Sequence, residues 1–163
     1  MRILIYILFV VVIISSCKNV SHYTYPNLNT NIDTFLFKNY IKKGDSFYMV
    51  GQYAQSKLYF DTLISIDSTR GGFYFKRGLA KFVLLRTRDS SYYANVNDII
   101  SDYKTAIKRN YSQKEYAFYN AGLAYSIIGQ YDSAIVYFNE CLKIDPNNIK
   151  ANKEKKIVLN LVK

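Results

Sequence analysis

Histidine occurs once in the 163 residues, cysteine and proline twice each, and tryptophan not at all. The lone His22 lies in a polar stretch without a second His, a Cys or a carboxylate cluster beside it, which argues against a histidine metal site or a Ser/His/Asp catalytic set. CxxC, HExxH and a Gly-rich phosphate loop are also missing, and acidic residues are scattered singly along amphipathic segments, where each reads as a cap or a surface charge. No catalytic residue, metal ligand or cofactor site is therefore assigned, and the chain is expected not to be an enzyme. Lys and Arg outnumber Asp and Glu by 22 to 12, a net charge of +10. These cations are spread out with no dense block, so the abundant Tyr is not read as a base-stacking platform and no nucleic-acid partner is expected.

Half of the residues are hydrophobic, among them 17 Tyr and 10 Phe, enough for one modest domain. Tyr suits a helical packing role, because its ring can be buried while its hydroxyl reaches water or a partner.

Residues 1–16 read as an export signal: Arg2 supplies the positive start, Ile3 to Ile14 is an unbroken apolar run, and Ser15, Ser16 and Cys17 follow. The run is short of the about 20 residues that span a bilayer. Ile14-Ser15-Ser16-Cys17 resembles the lipobox of bacterial lipoproteins, which implies acylation of Cys17 and cleavage before it; a plain secretory signal and an uncleaved anchor are the alternatives. An acylated Cys17 would leave Cys141 as the only thiol, so no intramolecular disulfide is expected, and Cys141 reads as a small buried helix residue. Lys18 to Thr34 is polar and Asn/Thr-rich, and residues 17–36 are read as the lipidated cysteine and a flexible tether. No acidic residue follows the cysteine at Lys18 or Asn19, so the outer membrane or the periplasmic face is the expected location.

Glu115 to Asn148 carries the most pattern. Phe118, Tyr125, Tyr131 and Phe138 are bulky bodies at helical spacing, and Gly122, Ala124 and Ala134 are the small partners that let two helices approach. Gly129 interrupts the periodicity as a helix stop, Asp132 is expected to cap the next helix, and Asp145 before Pro146 should end it. The stretch resembles one tetratricopeptide repeat: counted from Glu115, Phe118, Gly122, Tyr125, Ala134, Phe138 and Pro146 fall at positions 4, 8, 11, 20, 24 and 32. Ala121 at position 7 and Cys141 at position 27 depart from the family's usual large aliphatic and Ala, and are read as volume-compatible.

The same template fits residues 37–70 more loosely, through Tyr40, Gly44, Phe47, Ser56 and Phe60, with Gly51-Gln52-Tyr53 repeating the Gly129-Gln130-Tyr131 turn. It fits residues 71–114 if about nine extra residues separate Gly78 and Ala80 from Ile99, Tyr103 and Ala106; the insertion lies around Arg86 to Val96, as a binding loop or a plain extension. Residues 149–163 read as a terminal cap helix with Ile157, Val158 and Leu161 on its apolar face; a membrane-surface helix is the alternative reading of its Lys-rich face. The expected fold is all-α: tandem antiparallel helix pairs of a TPR-like α-solenoid, three repeats (37–70, 71–114, 115–148) and a cap, together the domain 37–163.

The resemblance further implies a concave wall built from the first helix of each repeat. The positions that carry it include Tyr48, Phe75, Lys76, Leu79, Phe82, Tyr116, Tyr119, Asn120, Leu123 and Ile127, a mainly aromatic and aliphatic set suited to a protein or peptide partner. Ile41 and Asp45 occupy two positions at which some family members hold a peptide's terminal carboxylate, so that clamp is not expected. The expected function is a non-catalytic adaptor or scaffold, membrane-associated through its lipid anchor. The alternative is a basic envelope protein that binds acidic glycan or anionic lipid, with the repeats as scaffold.

Overall fold

The computed structural model describes residues 30–87 and 95–162. The leader, Cys17, His22 and most of the tether lie outside the described residues. Among those described there are seven helices and no strand: α1 (Thr30–Met49), α2 (Tyr53–Ile66), α3 (Gly71–Thr87), α4 (Val96–Lys108), α5 (Lys114–Ile127), α6 (Tyr131–Ile144) and α7 (Ile149–Leu161). They form an all-α helical-repeat solenoid in which α1/α2, α3/α4 and α5/α6 are the pairs and α7 closes the end. No described helix is long and apolar enough to cross a membrane.

One relationship recurs in all three pairs. A glycine on the first helix faces the aromatic ring of the second so closely that a methyl group would collide with it. A Cβ on Gly122 would lie 2.6 Å from Phe138, one on Gly78 2.8 Å from Tyr103, and one on Gly44 3.0 Å from Phe60. All three rings are buried, at 0–1% exposure. The absent side chain lets the backbone approach, and the ring supplies the buried area.

The turns within the pairs follow one recipe. Gly51 and Gly129 adopt φ of +80° and +73°, and the residues around them close each helix with the same pair of bonds. Gly51 N–H donates to Tyr48 O at 3.1 Å and Gln52 N–H to Phe47 O at 2.8 Å; Gly129 and Gln130 donate to Ser126 and Tyr125 at 3.2 and 3.0 Å. This double bond needs a left-handed residue between the helices, which glycine adopts without strain. Asn110, at φ +53°, takes that place after α4, with Tyr111 N–H donating to Ala106 O. Asp145, at φ −124° and ψ 86°, leaves the helical region and terminates α6 before Pro146. Asp67 does the same for α2; both aspartates accept a backbone N–H from two residues on, Thr69 at 2.9 Å and Asn147 at 3.2 Å.

Several expectations are corrected. Asp132 does not cap α6: Gln130 stands at the N-cap with no side-chain bond, and Asp132 lies in the first turn, where its charge complements the helix dipole. Helix α1 begins at Thr30, within the stretch 17–36 read as tether, so the polar composition there does not prevent a helix. Arg86 and Thr87, assigned to the insertion, extend α3, and Asn95 caps α4 by accepting from Asn97 N–H at 2.9 Å; residues 88–94 lie outside the described residues. In α7 the buried residues are Ala151 and Val158, which close a cluster with Ala134, Phe138 and Cys141. Ile157 and Leu161, expected on that face, are 45% and 59% exposed.

Candidate functional site

The candidate wall is carried by α1, α3 and α5. On α5, Tyr116, Tyr119, Asn120, Leu123 and Ile127 are spaced at three, four, seven and eleven residues and so share one helix face. Tyr116 and Ile127 are 47% and 51% exposed. Between them Tyr119 and Leu123 are half-buried, Tyr119 with its ring 6.1 Å from Phe138. Leu123 packs against the core clusters on both sides. Asn120 donates its side-chain amide to Tyr116 O at 2.8 Å, holding itself along the helix. Burial raises the Tyr119 hydroxyl pKa, with a further rise from Glu154 and an opposing effect of Arg86. That environment brings the end of α3 and the cap helix to the same face; the sequence pattern places Arg86 in the insertion and gives no sign of Glu154 here.

On α3 the set divides. Phe75 and Phe82 are each 7% exposed, so they are corrected from wall surface to core: Phe75 stacks on Tyr111 at 4.6 Å, beneath the α4–α5 connection. Leu79 is half-buried against the same cluster. Lys76 remains on the surface but is held, with its ammonium 2.6 Å from both carboxylate oxygens of Asp45 on α1 and 5.7 Å above the Phe60 ring. Adjacent repeats are thereby tied across the wall, and each charge is neutralised by the other. Tyr48, on α1, is half-buried with its ring 5.1 Å from Tyr53, edge to face, and burial raises its hydroxyl pKa. The wall's open part is thus the α5 face. Among the described residues no group of three His, Cys, Asp or Glu could hold a metal ion.

Residues 115–148 match the family model of the tetratricopeptide repeat. No curated protein matches the chain. Among solved structures it resembles the TPR domain of OM64 from Arabidopsis, at 18% identity and a TM-score of 0.66, over 76% of this chain and 93% of that one. It also resembles the first TPR of Spaghetti (RPAP3) bound to the HSP90 peptide SRMEEVD, at 18% identity and a TM-score of 0.68, over 77% and 92%. For MamA the identity is 21% and the TM-score 0.67, over 76% of this chain and 67% of the other. Helix pairing, the glycine-to-ring contacts and these likenesses together define a TPR-type helical array, with the repeat at 115–148 its best-marked unit.

Proposed function

We propose that the chain is a non-catalytic protein-interaction adaptor of the bacterial cell envelope, anchored by acylated Cys17, which docks a partner protein or peptide on the wall formed by its first helices. The observation that carries this reading is the α5 face, where Tyr116 and Ile127 stay half-exposed on either side of Tyr119 and Leu123. Rigid aromatic and aliphatic bodies on a helix that is itself fixed on both flanks suit the apolar anchors of a peptide. The peptide-bound neighbour supports the mode of binding; here the Asp45–Lys76 pair stands in the first part of the wall, so a partner's own carboxylate would have to displace Asp45 to reach Lys76.

The test is crosslinking of the membrane-anchored protein in its own cells, followed by mass spectrometry, with Tyr116→Ala plus Ile127→Ala as the control. Both side chains are exposed, so the variant should fold. One dominant captured protein that disappears in the variant is the expected result. Capture that ignores the variant would transfer the reading to the basic surface. Acylation is tested separately by the mass of the mature amino-terminal peptide, which should carry its lipid on Cys17 and lose it in Cys17→Ala.

A further inference from the structure

The furrow between successive second helices is filled in one place and open in the next. Between α2 and α4 it is occupied by Arg77, whose guanidinium donates to Asp61 on α2 at 2.9 Å and to Asp102 on α4 at 2.5 and 3.1 Å. The same guanidinium lies 5.4 Å from the Tyr74 ring centre, and Lys81 adds a second cation 2.7 Å from Asp102. Counted along the repeat template, the residues one unit further on are Ala121 for Arg77, Lys104 for Asp61, Tyr137 for Asp102, Tyr125 for Lys81 and Phe118 for Tyr74.

That exchange has two physical consequences. Ala121 is fully buried and too short to reach outward, so the furrow between α4 and α6 stays open as a cleft of about 630 Å³, within the range of ligand-binding pockets. Its floor is aromatic: Tyr125 and Tyr137 lie 5.0 Å apart, and Phe118 is 6.0 Å from Tyr137. The charge of the rim also differs: where the filled furrow has Asp61, paired with Lys57 and Arg77, this one presents Lys104 and, one helical turn on, Lys108. None of the described lining residues is acidic. Both lysines are exposed, and neither is in an ion pair among the described residues.

We propose that the α4–α6 cleft is a second docking site, for an acidic segment of a partner protein. A Phe- or Leu-sized side chain would rest on Phe118, Tyr125 and Tyr137, with neighbouring Asp or Glu carboxylates on Lys104 and Lys108. An apolar body satisfies a floor that is aromatic and holds no ion, and carboxylates satisfy two ammonium groups that have no ion pair among the described residues. Phe118 and Tyr125 in the cleft floor share α5 with the wall, but Tyr116 and Ile127 do not line the cleft, so this site does not require the wall to bind anything. An array with both would hold two segments at once.

The probe is a fluorescein-labelled peptide, Gly-Glu-Asp-Phe-Leu-Asp-Glu-Gly, titrated by anisotropy against the full chain in detergent, beside a counterpart with Lys at every acidic position. Two variants separate the sites: Lys104→Glu with Lys108→Glu, both exposed and so not expected to disturb folding, and the wall variant Tyr116→Ala with Ile127→Ala. The acidic peptide should bind and the basic one should not, with affinity reduced by about tenfold or more in the charge-reversed variant and unchanged in the wall variant. A benzophenone in place of the peptide's Phe should crosslink to α4, α5 or α6 beside the cleft. Absence of binding at millimolar peptide would overturn the proposal, as would equal binding by the charge-reversed variant or loss only in the wall variant. Binding of anionic phospholipid vesicles through Lys104 and Lys108, without binding of the peptide, would overturn it in favour of a membrane contact.

Discussion

Lys81 and Asp102 form an ion pair at 2.7 Å, with only 10% and 4% of their side chains exposed, in the place where the other two repeats pack two aromatic rings together. In the first repeat that place holds Phe47 and Tyr59, 5.3 Å apart, and in the third Tyr125 and Tyr137, 5.0 Å apart. The middle repeat has exchanged an apolar contact for an ionic one, and Arg77 extends it to Asp61 on α2. Removing one member strands buried charge: Asp102→Ala leaves Lys81 without its carboxylate and Arg77 with Asp61 alone, and should lower stability by about 3–5 kcal/mol. The paired change Lys81→Tyr with Asp102→Tyr, which copies the third repeat and leaves Arg77 with Asp61, should cost clearly less. Urea unfolding of the three proteins checks the order; an Asp102→Ala midpoint equal to that of the unaltered chain would show that the pair is not buried in solution.

The two kinds of glycine should fail differently. At Gly122 the obstacle is space, because a methyl group would meet Phe138 at 2.6 Å, and Gly122→Ala should cost about 1–3 kcal/mol through overpacking. At Gly51 nothing lies within 4 Å, but φ is +80°, so Gly51→Ala should cost about 1–2 kcal/mol through backbone strain alone. Trimming the ring with Phe138→Leu should relieve part of the first penalty and none of the second, which a double-mutant cycle would show.

The small-to-large contacts are the part of this fold that is written most directly in the sequence. Gly44 faces Phe60 and Gly122 faces Phe138 at the same separation along the chain, and Gly78 meets Tyr103 in the same way once the insertion is allowed for, so a repeated pattern determines a tertiary contact. Phe75 and Phe82 are harder to read, because their template positions lie on the wall while Tyr111 and the α4 core, set by residues far along the chain, cover them. The same is true of Ile157 and Leu161: the helix they lie on is amphipathic in more than one direction, and the partner surface selects Ala151 and Val158. The open cleft has a sequence signal that is visible only by comparing repeats. Ala121 is compatible with the core beneath it, yet it leaves empty the furrow that Arg77 fills one unit earlier.

Ser56 occupies a fully buried position on α2, and its hydroxyl has no hydrogen-bond partner among the described residues. Its counterpart in the third repeat is Ala134, equally buried. A hydroxyl taken from water without a partner destabilises by about 1–3 kcal/mol, so Ser56→Ala should raise the melting temperature and not lower it. Tyr103→Phe tests the same idea at the other unpartnered hydroxyl while keeping the ring that Gly78 requires. A fall in melting temperature for Ser56→Ala would mean that the hydroxyl is satisfied in solution.

Cys141 is fully buried on α6 among Ala134, Phe138, Ala151 and Val158, and burial pushes its thiol pKa up to about 11 from an ordinary value near 9. The folded state therefore holds the proton more tightly than the unfolded chain. Its contribution to stability is complete below the unfolded value and is lost as pH rises through about 9 towards 11. Tyr137, pushed up to about 12 by burial with help from Tyr125, adds the same sign from its ordinary value near 10 upwards, overlapping that window. Two results should follow. A disulfide reagent offered at mildly alkaline pH should leave Cys141 untouched in the native protein and modify it at once in urea, because only an exposed thiolate attacks. The alkaline fall in the urea midpoint should also be shallower in Cys141→Ala than in the unaltered chain, whatever the variant costs at neutral pH. Native-state modification at the rate of a free thiol would instead show that the α6–α7 contact opens readily and that the cap helix does not seal this end of the array.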